Sequence, residues 1–482
     1  MKKIFFKKIN DKNLIFPGLL IVFGLVSRLA FLDYPAIVVF DETHFGGFVN
    51  SYFIQKSYFD IHPPLGKLII YLFTYLGGYG DFVKHFGDFK FAHADDYGAT
   101  PYLIFRYGPA LAGSLIPLIF YYLLRQIKLR PSLAFLGGCL LLLENSFVVQ
   151  ARFILLDSFL VLFGLLGLLV FLNARNNNYS WKKLFLAGIF LSASVSTKWT
   201  GLCYLAIVFL ILFFDYGTKV LKVRFKLKKM SSIALKTAPM LVGRYLLLIF
   251  SFLLFYISIF FLHFSLMPDD HYDTVNTPGK EPEFKNQFLP DQWVKLKYVY
   301  YLNKQMFISN SRIRADHPYS SRSYTWPIMQ KPVLYFSEHN DQGRRNITFQ
   351  GNPIVWLAGI LGILGAIVFF PKIKQSFSLK GSFLLGYVCS FLPFILIKRP
   401  LFLYSYMNAL TISIILFMLV CAHWLNKLKS KKLFYTVYLA VLVPLIASFF
   451  IYASFTYGSE MSHKNYRIKT FFLNWTKKWV AK

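Results

Sequence analysis

Apolar runs long enough to cross a hydrocarbon core of about 30 Å recur along most of this chain, and they constrain its fold more than any other feature. They fall near residues 14–32, 102–125, 132–149, 153–173, 184–197, 199–214, 241–266, 353–370, 382–397, 401–425 and 433–456. No water inside a bilayer can pair backbone N–H and C=O groups, so such runs form helices that satisfy their own hydrogen bonds. Composition agrees: apolar side chains make up 56% of the 482 residues, with 54 phenylalanines, beyond the range of soluble domains. The expectation is an all-α integral membrane protein, a polytopic bundle of about eleven transmembrane helices with two long extracytoplasmic loops.

A net charge of +31 could suggest a nucleic-acid partner, but the positions of the charges argue against one. Lysines and arginines cluster in short connectors: Lys2 to Lys8, Arg125 to Arg130, Lys182 and Lys183, Lys219 to Lys229, Lys372 and Lys374, and Lys427 to Lys432. Counting eleven spans from a cytoplasmic N-terminus puts every one of these connectors inside, which is the positive-inside pattern. The run 65–76 is short, carries Lys67, and as a span would invert every later connector; it reads as an interfacial helix on the outer face. The basic-then-apolar N-terminus reads as a retained span. Segments 33–101 and 267–352 are then outside, dividing the chain into a first membrane module (1–266), an outer segment (267–352) and a second membrane module (353–482). Cys139, Cys203, Cys389 and Cys421 all lie in apolar runs and read as buried small hydrophobes.

Polar residues beside a bilayer are costly and mark functional sites by default. The first outer segment contains Asp41-Glu42-Thr43-His44-Phe45-Gly46 and then Phe59-Asp60-Ile61-His62-Pro63-Pro64-Leu65-Gly66-Lys67. Carboxylates can remove a proton from an attacking hydroxyl. Adjacent side chains point different ways, so one of Asp41 and Glu42 faces a substrate; Asp60 is a further candidate. Pro63 and Pro64 stiffen the lead-in to the interfacial helix and present Asp60 and His62 at the membrane surface. No His-Glu-x-x-His pattern occurs, which removes a zinc-protease reading.

Cations gather at the same outer corners: Arg106, Arg152 beside Asp157, Lys198 in Lys198-Trp199-Thr200-Gly201, and Arg399. Guanidinium forks suit phosphate oxygens, although Arg106 could equally snorkel and Arg152 could pair with Asp157. The second outer segment holds His317 in Asp316-His317-Pro318-Tyr319-Ser320-Ser321-Arg322, then Trp326-Pro327. His317, Arg322 and Trp326 form either a substrate platform or part of an interfacial aromatic belt. A transporter would tend to place its charges near the midplane within repeated halves; here they gather at one face.

Read in order, these segments resemble the protein O-mannosyltransferases, membrane enzymes of the GT-C architecture. The likeness runs from the Asp41 loop through Arg106, Arg152 to Ser158, Ser196-Thr197-Lys198-Trp199-Thr200-Gly201-Leu202, His317-Pro318-Tyr319, Trp326-Pro327, Gly351-Asn352-Pro353 and Arg399 with Phe402-Leu403-Tyr404. It implies transfer of mannose from a polyprenyl-phosphate-mannose donor to Ser or Thr hydroxyls of secreted or membrane proteins, with inversion. Asp41 would be the general base, Glu42 would orient a neighbour or contact the acceptor, and Arg106 and Arg399 would hold the donor phosphate with Lys198 assisting. The other enzyme reading is a GT-C transferase acting on a lipid or glycan, similar to the aminoarabinose transferases. Segment 267–352 is too short for the β-trefoil MIR domain of eukaryotic members. That points to a prokaryotic-type member in the plasma membrane, with its site on the extracytoplasmic face and the translocon as a candidate partner; in a eukaryote the membrane would be the endoplasmic reticulum. The family's Phe-Leu-Tyr-His-Tyr is here Phe402-Leu403-Tyr404-Ser405-Tyr406, so a role assigned to that His does not carry over. No cofactor is firmly implied: outer carboxylates could bind a divalent metal, but the Lys/Arg set can neutralise one phosphate without it.

Overall fold

The computed structural model describes residues 14–221, 227–267, 292–313, 317–339, 341, 343–397 and 399–471. The N-terminal lysines, part of the 219–229 cluster, residues 268–291 of the second outer segment, Asp316 and Lys398 lie outside the described residues.

The chain begins with α1 (Ile15–Leu29), and the first outer segment then forms α2 (Glu42–Phe53), α3 (Leu65–Leu76) and α4 (Tyr79–Phe86). Next come α5 (Leu103–Gln126), α6 (Pro131–Leu142), α7 (Asn145–Ala151), α8 (Asp157–Asn176) and α9 (Trp181–Val195). After these follow α10 (Leu202–Leu221), α11 (Leu227–Ser265) and α12 (Gln292–Arg312). A hairpin of β1 (Val333–His339) and β2 (Arg344–Phe349) precedes α13 (Pro353–Val368), α14 (Phe377–Phe391), α15 (Pro393–Leu396), α16 (Met407–Leu425), α17 (Lys431–Tyr457) and α18 (His463–Phe471).

Each apolar run is helical, as bilayer chemistry requires. Among the described residues seven helices are long and apolar enough to cross a membrane, or eight if the bent pair α6 and α7 is one span. The runs 14–32, 184–197 and 353–370 give shorter helices of 15, 15 and 16 residues. The run 132–149 is broken rather than continuous, with 59° between α6 and α7. The cause is Glu144, which caps α7 by accepting from the Ser146 amide and hydroxyl. It also receives Asn352 N and the Trp356 indole, tying the elbow to the start of α13. Gly351 must be glycine there, because a Cβ would meet the Trp356 indole nitrogen at 1.7 Å.

The all-α expectation missed one element. Segment 333–349 alternates well enough to pair as an antiparallel hairpin, Val333 opposite Phe349 and His339 opposite Arg344, with a bulge between Leu334 and Phe336. The second outer segment also contributes α12, whose Tyr298, Leu302 and Met306 pack with Phe260 and Phe264 of α11. Cys389 is exposed on its helix, unlike the expected buried position.

Within the bundle α8 packs on α9 and α5, α13 on α16, α9 on α11, and α10 on α14. The apolar stretch of α8 is 89% buried and that of α16 78%, against 17% for α17, so α8 and α16 are the pillars and α17 faces outward. The connectors sort into two ends. At one end Arg175 pairs with Asp215 and reaches Ser376 and Ser378, while Arg130 reaches the Leu425 carbonyl and Gln375 the Ile127 carbonyl. At the other end the first outer segment meets the corners at 152–157, 196–201 and 397–407. This is an integral membrane protein with its described basic connectors at one end and its carboxylate-bearing loop at the other.

Candidate active site

The carboxylate-bearing end encloses a cavity of about 850 Å³. Five stretches of chain build its wall: the first outer segment with Asp41, His44, Asp60 and His62; Asp157 at the start of α8; Lys198 to Thr200; the end of α12 with His317; and residues 394–408 with Arg399, Tyr404, Ser405 and Asn408.

Asp41 and Glu42 diverge because they stand at a helix start. Glu42 is fully buried. It takes Arg106 Nε at 2.8 Å and Nη2 at 2.9 Å, and also accepts from the Val39 amide, the Tyr97 hydroxyl and the Ile154 amide. Arg106 spends its remaining donors on the carbonyls of Leu32, Pro35 and Ile37. With every donor engaged away from the cavity, Arg106 neither snorkels nor holds a donor phosphate, and Glu42 contacts no acceptor. The pair is a buried strut that welds the loop to α5. Asp41 occupies the cap position of α2, yet its side chain makes no capping bond and lines the cavity instead. Among the described residues its carboxylate has no hydrogen-bond partner. Burial pushes its pKa up to about 6, with Lys198 and His44 pulling it down and Asp157 and Asp60 pushing it further up.

The second cluster is organised by Lys67, whose ammonium binds Asp60 and donates to the His62 carbonyl at 2.9 Å. Burial raises the Asp60 carboxyl, but Lys67 outweighs it and holds the group below its ordinary range. Asp60 therefore lines the cavity as a committed anion, a poorer base than Asp41. Pro64 caps α3 without a side-chain bond from His62, which instead faces the cavity. Burial drives the His62 imidazole down to about 3, with Asp60 opposing and Lys198, Lys67 and Arg399 assisting, so it is neutral.

Asp157 pairs with Lys198 at 2.8 Å and accepts from Gln150 Nε2 at 2.6 Å. Gly201 permits this corner: a Cβ would lie 2.5 Å from the Ser194 hydroxyl. Arg152 does not pair with Asp157. It is buried and gives its guanidinium to the carbonyls of Thr456, Phe31 and Tyr34, so it binds no substrate; its carbonyl partners come from remote segments. Trp326 is also buried, its indole nitrogen on Ser321 and its ring against Phe394, so it is core rather than platform. Arg322 is exposed and outside the wall.

The cavity thus gathers Asp41, Asp60, His62, Asp157, Lys198, His317 and Arg399, and excludes Glu42, Arg106, Arg152, Arg322 and Trp326. Asn408 and Asn310 line it without having been singled out, Tyr404 lines it from the Phe402-Leu403-Tyr404 stretch, and Ser405 stands at the wall where the family motif has His. Gln150, a polar residue inside an apolar stretch, carried the usual signal of a functional group near the membrane. Among the described residues no group of three His, Cys, Asp or Glu side chains is placed to hold a metal ion.

The sequence model of the family described as dolichyl-phosphate-mannose-protein mannosyltransferase matches residues 18–267. That of the C-terminal four-transmembrane region of protein O-mannosyltransferase matches residues 295–479. Dolichyl-phosphate-mannose–protein mannosyltransferase 1 of Candida albicans is 35% identical over 212 residues, which is 41% of this chain and 22% of that protein. Its counterpart in Saccharomyces cerevisiae is 36% identical over 189 residues, 38% of this chain and 22% of the relative. The match therefore spans about a fifth of the length of these relatives. A chain of the S. cerevisiae protein O-mannosyltransferase Pmt1-Pmt2 complex bound to the sugar donor has the same fold, with a TM-score of 0.80 at 19% identity over 98% of this chain and 93% of that one. Since the first family match alone takes in more than half of the residues, the chain belongs to the dolichyl-phosphate-mannose-protein mannosyltransferase family.

Proposed function

We propose that this protein transfers mannose from polyprenyl-phosphate-mannose to Ser or Thr hydroxyls of translocated proteins. The acceptor oxygen attacks the anomeric carbon as the carbon–oxygen bond to phosphate breaks, inverting that centre. Asp41 takes the hydroxyl proton, and polyprenyl phosphate leaves with the bonding pair. One observation carries this reading. Of the three carboxylates in the cavity wall, Asp60 is committed to Lys67 and Asp157 to Lys198 and Gln150, whereas Asp41 faces the space without a hydrogen-bond partner among the described residues. A base with a raised pKa is suited to proton abstraction near neutral pH.

Lys198 and Arg399, both in the wall, meet the charge that develops on the leaving phosphate. Neutral His62 is placed to hydrogen-bond sugar or acceptor hydroxyls, and His317 and Asp60 complete the polar lining. The positive-inside count puts this end on the extracytoplasmic face, in a prokaryotic plasma membrane, where acceptors emerge from the translocon.

The test is transfer of radiolabelled mannose from polyprenyl-phosphate-mannose to Ser/Thr peptides by purified protein, with and without EDTA. Labelled peptide in both conditions is the expected result. Label confined to lipid or glycan acceptors would overturn the acceptor assignment, and loss of transfer in EDTA would assign the charge-neutralising role to a metal.

A further inference from the structure

One buried polar chain reaches the cavity from an element that does not line it. No described residue of the β1–β2 hairpin is in the wall, yet buried Tyr335 of β1 donates to Gln150 Oε1 at 2.5 Å. Gln150 Nε2 in turn donates to Asp157 Oδ2 at 2.6 Å, and Lys198 Nζ donates to that same oxygen at 2.8 Å. The order of donors settles the amide orientation. Reversed, the amide oxygen would face a carboxylate oxygen, so the acceptor-only Asp157 fixes which way Gln150 points and turns the amide oxygen toward the Tyr335 hydroxyl, which supplies its proton.

The Tyr335 ring has a second contact. It stacks on Phe40 with centroids 4.2 Å apart and planes 9° from parallel. Phe40 directly precedes Asp41 and has a φ of 48°, in the left-handed region that a non-glycine residue keeps only when its surroundings hold it there.

We infer that Tyr335 is a positioning residue that registers Asp41 against Lys198. Its ring holds Phe40 and with it the start of α2, where Asp41 sits. Its hydroxyl, through Gln150 and Asp157, holds the Lys198 ammonium. The second outer segment thereby sets the distance between the proton acceptor and the cation that meets the phosphate. This rests on the transfer reaction proposed above.

Two contacts on one side chain can be separated. Tyr335→Phe keeps the stack and removes only the donor. Gln150→Leu removes the middle link. Each should weaken binding of polyprenyl-phosphate-mannose about 3- to 10-fold, the range for one lost hydrogen bond. The double variant should be no weaker than either single, because both break one chain. Tyr335→Leu, which also loses the stack, should lower turnover by at least about 10-fold more. Donor affinity is read by thermal-shift titration of the full-length protein in detergent, turnover by peptide transfer. Wild-type donor affinity in Tyr335→Phe, or losses that add in the double variant, would overturn the inference. A wild-type protein that binds donor but labels no Ser/Thr peptide defeats the acceptor reading, while the donor titrations still decide the role of Tyr335. Wild-type protein that binds no donor removes both.

Discussion

At the scale of single residues, the cavity assigns different work to groups that look alike on paper. Asp41 and Glu42 are neighbours, but one faces open space and the other neutralises an arginine. Asp41→Asn should leave the fold and donor binding intact and lower turnover by about 10²–10⁴, since an amide cannot accept the hydroxyl proton; near-normal transfer by folded Asn variant would transfer the role to another group. The Asp41 pKa of about 6 makes a second prediction. The base must be ionised, so kcat/KM should fall as pH drops through about 6. Lys198 holds that value down, so Lys198→Gln should move the acid limb toward higher pH, and an unmoved limb would uncouple the two groups. Arg399 stands in the wall without the buried carboxylate that occupies Arg106. Arg399→Ala should weaken donor use by roughly 10- to 150-fold, the loss of about 1.5–3 kcal/mol from one charge-assisted bond, measured as donor KM.

At the scale of elements, the loop that carries Asp41 is held by a strut rather than by helix propensity. The Arg106–Glu42 pair joins α2 to α5, and neither side chain is exposed at all. Breaking a buried pair strands the surviving charge, at a cost of about 3–5 kcal/mol. Arg106→Ala should therefore lower the yield and melting temperature of the purified protein, and donor KM in the surviving folded fraction should be near wild type. A stable Arg106→Ala protein with a large rise in KM would restore the phosphate role. The same logic explains why the arginines misled as a set: a guanidinium in sequence announces five donors but not their recipients. Arg152 found carbonyls at 31, 34 and 456, and only chain folding brings those together.

At the scale of the whole molecule, the two ends of the bundle differ in charge, and the proposed orientation rests on that difference. Single cysteines at Lys84, exposed in the first outer segment, and at Lys429, in a basic connector, test it in a cysteine-free background. Lys84 should label from outside intact cells and Lys429 only after permeabilisation; the reverse pattern would invert the topology. Helicity and the position of each apolar run were legible from sequence, because unpaired backbone groups have no alternative partner in lipid. The loop bearing Asp41, the corner at Lys198 and the one at Arg399 were legible as well, since charge beside a bilayer survives only where something uses it. Which charges face the cavity was decided by tertiary contacts spanning long stretches of chain, such as Glu42 with Arg106 and Asp157 with Lys198. Local patterning records how a segment meets lipid or water; it does not record which buried donor will claim a given carboxylate, because that depends on which helices stand beside one another.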